Sequence, residues 1–224
     1  MTSPMQRIRA LEKSMPCPEN SWILSGAPAI VKQGNRMGFQ IYCRESAQLL
    51  EQTALDLDAS RIEHAIDAIV RALRANKPLL LCGNGGSAAD AMHIAAELAG
   101  RFRKERRGLK AICLGADTAF LTAWANDYSY ETVFARQVEA LGEAGGVLLG
   151  LSTSGNSPNV VKAFEEARRI GMTTIAMTGE GGGRLAAHAD ILLDVPSRVT
   201  AAVQQVHICI YHYLCDQVET RYAP

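Results

Sequence analysis

Residues 146–171 read GVLLGLSTSGNSPNVVKAFEEARRIG. The aliphatic run Val147–Leu151 does not alternate apolar with polar residues, so both faces of that strand are expected to be buried, as in a parallel sheet. Four hydroxyl residues follow within six positions: Ser152, Thr153, Ser154 and Ser157. Ser157-Pro158 then sets an N-cap beside a proline at the first helical position, and Gly171 ends the helical stretch. One strand, one polar loop and one capped helix are therefore legible in 26 residues.

Four other short aliphatic runs have the same character: PLLLCG (78–83), KAICLG (110–115), MTTIAMT (172–178) and ILLDV (191–195). Stretches with helical period separate them, among them residues 59–77 before the first strand and 201–219 after the last. This alternation predicts an α/β domain with a doubly wound five-stranded parallel sheet flanked by helices, occupying residues 37–224. Residues 1–36 carry turn formers and no sustained period, and read as an irregular N-terminal extension.

The totals narrow the class of function. With 23 basic and 23 acidic residues the formal net charge is zero, and 48% of residues are hydrophobic. A disordered chain is excluded, and nucleic-acid binding by bulk charge is not expected. The basic run RFRKERR (101–107) reads as a solvated helix end and loop. No apolar run approaches the roughly 18 residues that span a bilayer, so no membrane partner is expected. The N-terminus lacks an apolar signal core. Six cysteines show no CxxC spacing, and several sit inside apolar runs, which suits a reduced, cytoplasmic protein.

Two loops can receive an anion. The first strand runs into Gly83-Asn84-Gly85-Gly86-Ser87, and the third into Ser152–Ser157. Ligands of open parallel sheets bind in the crevice at the carboxyl ends of the strands. Glycines there admit backbone N–H groups, and the next helix adds the positive end of its dipole. No P-loop lysine is present, so hydroxyls and amides would hold a monophosphate rather than a triphosphate. Beyond the first loop, His93 and Glu97 are four residues apart and share a helix face. Near the C-terminus, Gln204 and His212 lie within about 80° of each other on a helix, whereas His207 points some 140° from His212. His207 is therefore read as a structural residue.

GNGGSAADAMHIAAEL, WANDYSYETVFARQVEALG, LSTSGNSPNVVKAF, GMTTIAMTGEGGG and VQQVHICIYHYLCD together resemble the phosphoheptose isomerases of the sugar-isomerase (SIS) fold. The similarity covers roughly residues 40–220. It implies an aldose–ketose isomerase that converts sedoheptulose 7-phosphate to D-glycero-D-manno-heptose 7-phosphate for heptose biosynthesis. It also implies one zinc ion per site, held by His93, Glu97, Gln204 and His212. The implied sugar-phosphate contacts are Asn84, Gly85, Gly86, Ser87, Glu97, Asn126, Asp127, Ser152, Thr153, Ser154, Ser157 and Gln204. Members of the family are homotetramers with active sites between subunits. Gln204 and His212 are separated by about 12 Å of helix, which favours ligands drawn from different subunits if the helix is straight.

In the implied chemistry Glu97 is the catalytic base and His212 shuttles protons at the oxygens. Zinc ligation and base function compete for the Glu97 carboxylate. Two departures stand out: Ala202-Val203 occupies a position where the family usually has Arg-Ile, and Gly145-Gly146 one where Gly-Asp is frequent. Two alternatives share the fold. One is a non-catalytic protein that binds the bacterial replication initiator, which lacks the His/Glu and Gln/His set. The other is a phosphosugar-sensing regulator, which carries a DNA-binding domain that 36 irregular residues cannot supply.

Overall fold

The computed structural model describes residues 38–222. The expected extension over residues 1–36 lies outside the described residues, and one compact unit begins at Gly38. Its elements are α1 (Phe39–Asp56), α2 (Ala59–Arg74), β1 (Leu79–Gly83), α3 (Gly86–Ala99), β2 (Ala111–Cys113), α4 (Thr118–Asp127), α5 (Val133–Leu141), β3 (Val147–Ser152), α6 (Pro158–Ile170), β4 (Thr173–Thr178), β5 (Ile191–Asp194) and α7 (Thr200–Tyr222). Short 3₁₀ turns at Tyr130–Thr132 and Gly183–Ala187 complete the chain.

All five strands are parallel, in the order β2-β1-β3-β4-β5. In the central strands β1, β3 and β4 the unbroken aliphatic runs are explained by burial on both sides, whereas the edge strands β2 and β5 are only partly buried. Leu79 and Leu81 of β1 enter a core under α2, α3 and α7, together with Val147, Leu149, Ile175 and Met177. Leu80 and Cys82 point the other way, into a core with Leu148, Ala176 and the α5–α6 residues Phe134 and Phe164. Each fully buried leucine contributes about 1.5–3 kcal/mol.

The strand order reverses between β1 and β3. Gly83 pairs with Leu151 there, so Asn84 leaves the sheet beside Ser152, the last residue of β3. That switch point is where ligands of such sheets bind, and it brings the two predicted loops together. Ser157 is the N-cap of α6 with proline following, and Gly171 ends the helix in the left-handed conformation at φ 88°, as the sequence predicts. The Ser157 hydroxyl makes no capping bond. It is turned across the loop to the Ser152 hydroxyl, 3.0 Å away.

The basic run is mostly exposed loop, as read, but one of its arginines turns inward. Arg106 is buried with its side chain 4% exposed, and its Nε lies 3.1 Å from Oε1 of the equally buried Glu219. Among the described residues, no helix is long and apolar enough to cross a membrane, and Cys43, Cys82, Cys113, Cys209 and Cys215 are unpaired.

Candidate active site

Helix α3 starts immediately after the Gly85-Gly86 turn and carries Asp90, His93 and Glu97 on one face. Across from it, α7 is a single helix of 23 residues that carries Gln204, His207, Tyr211 and His212. The donor atoms of His93, Glu97 and His212 lie within 4.8 Å of one another. Two imidazoles and a carboxylate at that spacing can hold a divalent ion such as zinc. His93 Nε2 is 3.0 Å from Glu97 Oε1, and His93 Nδ1 is 2.9 Å from the Tyr211 hydroxyl.

Both ring nitrogens of His93 thus have a partner, the Glu97 carboxylate on one side and the Tyr211 phenol on the other. Burial, with Asp90, Cys215 and Glu97 nearby, pushes the Tyr211 phenol up to about 12, so it remains a donor. The ring of His212 stands edge-on to His93, 5.1 Å between centres at 83°.

Gln204 lies two turns before His212 and is held separately. Its Nε2 donates to Asp90 Oδ2 at 3.0 Å, leaving Oε1 available to accept a hydrogen bond or to ligate a cation. Burial raises the Asp90 carboxyl above its ordinary value, opposed by the Gln204 amide. The same amide rests on Gly86, where a Cβ would lie 2.5 Å from Nε2 and 2.6 Å from Oε1. A side chain at position 86 would therefore displace the Gln204 amide from its place against α3.

The loops are built more tightly than their composition suggests. Asn84 and Asn159 exchange two amide hydrogen bonds of 2.9 Å, and the Tyr130 hydroxyl donates to Asn84 Oδ1 at 3.0 Å. Ser154 Oγ accepts from Asn156 N–H at 3.1 Å, and the loop packs on the 180–184 turn through Gly155 and Asn156. Thr153 and Ser154 line a cleft of about 340 Å³ with Asn156, Glu180, Ser197 and Arg198. Ser87 is buried in the first turn of α3. Asn126 and Asp127 close α4, exposed, with the Asn126 amide donating to the Asp127 carboxylate at 2.9 Å.

Asp90, Tyr130, Asn159, Arg198 and Tyr211 were missed in the sequence. Asp90 was the one with a signal, because it falls three and seven residues before His93 and Glu97.

His207 is fully buried, and its Nε2–H donates to the Thr178 carbonyl at 3.0 Å. Burial pushes its pKa down to about 4, partly opposed by that bond. The unfolded chain, with histidine near 6.5, takes the proton first as the pH falls. His207 therefore contributes stability above pH 6.5 that is lost between 6.5 and 4, about 3 kcal/mol in all. Urea midpoints measured from pH 7 to 4.5 should fall more steeply for the parent than for His207→Asn; parallel curves would contradict this assignment.

Comparison with known proteins identifies the family. The SIS domain family model matches residues 41–179. A phosphoheptose isomerase of Crocosphaera subtropica is 50% identical over 172 residues, covering 77% of this chain and 88% of the relative. The solved phosphoheptose isomerase GmhA of Neisseria gonorrhoeae superposes with a TM-score of 0.76 at 41% identity, covering 81% of this chain and 96% of that one. A phosphoheptose isomerase from Francisella tularensis gives 0.77 at 40% identity over the same shares. The chain belongs to the phosphoheptose isomerases, sugar-phosphate isomerases built on the SIS domain.

Proposed function

We propose that the chain isomerises sedoheptulose 7-phosphate to D-glycero-D-manno-heptose 7-phosphate through an enediol, with zinc in attendance. The observation that carries this reading is the meeting of His93, Glu97 and His212 beside two hydroxyl- and glycine-rich loops at the switch point of the sheet. The phosphate is held by Ser152, Thr153, Ser154 and Ser157, and the sugar by Asn84, Gly85, Gly86, Ser87, Asn126, Asp127 and Gln204. Glu97 takes a proton from C1 of the ketose and returns it to C2, while His212 carries the proton leaving O1 to O2. His93, Glu97, Gln204 and His212 would hold the zinc, which when bound polarises the carbonyl and collects the hydroxyls.

A homotetramer with shared sites is part of the proposal. It is supported by the apolar residues that α1 leaves exposed, Phe39, Ile41, Tyr42 and Leu55. The unpaired cysteines support a cytoplasmic setting.

The test is incubation of purified protein with sedoheptulose 7-phosphate, with and without chelator, and detection of a new aldose phosphate. Absence of product in the presence of zinc would defeat the proposal. The phosphate loop has its own test. Hydrogen bonds to a charged group contribute about 1.5–3 kcal/mol, so Ser154→Ala should weaken sugar-phosphate binding by roughly tenfold or more while leaving the urea midpoint nearly unchanged. Undiminished affinity in calorimetry would remove Ser154 from the cradle.

A further inference from the structure

We infer that Phe102 is a positioning residue for His212, held in place by a segment that docks along α7. This rests on the isomerase reading above. Helix α7 presents His212, Asp216 and Glu219 at spacings of four and seven, on one face. The chain leaving α3 engages all three. The Phe102 ring stacks on the His212 imidazole, 5.9 Å between centres at 28°. Arg103 Nη1 lies 3.2 Å from Asp216 Oδ1. The Glu219 carboxylate accepts the backbone N–H groups of Phe102, Arg103 and Lys104 at 3.0, 2.7 and 2.8 Å.

Arg106 joins the other end of the segment to the helix that carries His93 and Glu97. Its guanidinium donates to the carbonyls of Glu97, Leu98 and Gly100 at 2.9–3.0 Å while facing Glu219. One segment thus ties the last turn of α3 to the C-terminal half of α7, and the side chain it delivers to the site is a flat ring.

Three rings surround His212, and two of them are inclined to it: His93 at 83° and Tyr211 at 59°. Phe102 supplies the near-parallel wall. Without it the imidazole gains rotational freedom and one face opens to water. Proton transfer between substrate oxygens depends on where the ring nitrogen points, and misplacement by about 1 Å can cost on the order of a hundredfold. Substrate affinity, which depends on the loops, is untouched by this change.

The experiment compares parent, Phe102→Ala, Phe102→Leu and Phe102→Tyr on sedoheptulose 7-phosphate, with urea midpoints for each. The expected result is a kcat lowered roughly tenfold to a hundredfold in the Ala and Leu variants, a KM within about twofold, and near-parental kcat in the Tyr variant. Leucine keeps the apolar bulk without the flat face, so it remains informative if alanine does not fold. Parental kcat in a folded Leu variant overturns the inference. If the parent itself fails to turn over the sugar, the isomerase reading falls alone. Carbon-13 relaxation of the His212 ring then decides the packing claim: a ring as ordered in Phe102→Leu as in the parent overturns it, and a looser one supports it.

Discussion

Glu97→Gln is expected to lower turnover of sedoheptulose 7-phosphate by at least about a hundredfold, equivalent to about 2.7 kcal/mol on the barrier. Glutamine keeps the shape of the side chain and an oxygen that can partner His93 Nε2, now at 3.0 Å. It cannot take a proton from carbon. The loss therefore isolates base function from packing, which an alanine variant would not do. His212→Asn should fall by a similar factor, because no other group on α7 replaces the proton carrier at the sugar oxygens. His207→Asn changes a histidine of the same helix that faces the Thr178 carbonyl, and should retain most activity if it folds. Near-parental rates in both Glu97→Gln and His212→Asn would show that the proposed proton transfers are wrong.

The second large effect is on stability. Glu219→Ala is expected to cost about 3–5 kcal/mol, because it leaves the Arg106 guanidinium buried without its counter-charge and strands three backbone N–H groups. Burial alone would raise the Glu219 carboxyl, but those N–H groups and Arg106 outweigh it and hold it below its ordinary value. The surface pair Arg221–Glu63, at 2.6 Å with both side chains about a third or more exposed, makes the comparison. Glu63→Ala should cost less than about 1 kcal/mol. Urea denaturation at one protein concentration decides the matter, and equal midpoint shifts for the two variants would refute the distinction.

The contrast between those two glutamates marks where sequence reading stops. The sheet was legible because its central strands are buried on both faces, so an unbroken aliphatic run there has one simple explanation. Helix α6 was legible because Ser157-Pro158 and Gly171 punctuate it locally. Helix α1 gave no such signal: Thr53 is its one buried residue, and its apolar side chains are spread around the helix. Arg106 was misread because six of the seven residues of RFRKERR are charged, and nothing in the run says which arginine turns inward. That is settled by Glu219, 113 positions away. In the candidate site, His93, Glu97 and His212 could be named from helical spacing and family resemblance. Their supports could not, since Tyr211 meets His93 across 118 residues and Asn159 meets Asn84 across 75.

The reciprocal amide pair between Asn84 and Asn159 has a mechanical consequence. It bolts the turn after β1 to the first turn of α6, so neither side of the crevice can swing without breaking two hydrogen bonds at once. The cleft is thus shaped before any sugar arrives, and little ordering entropy remains to be lost when one does. Any widening needed to admit a long, open-chain phosphate has to come from the outer wall instead, where Glu180 and Arg198 pair across the surface of the cleft.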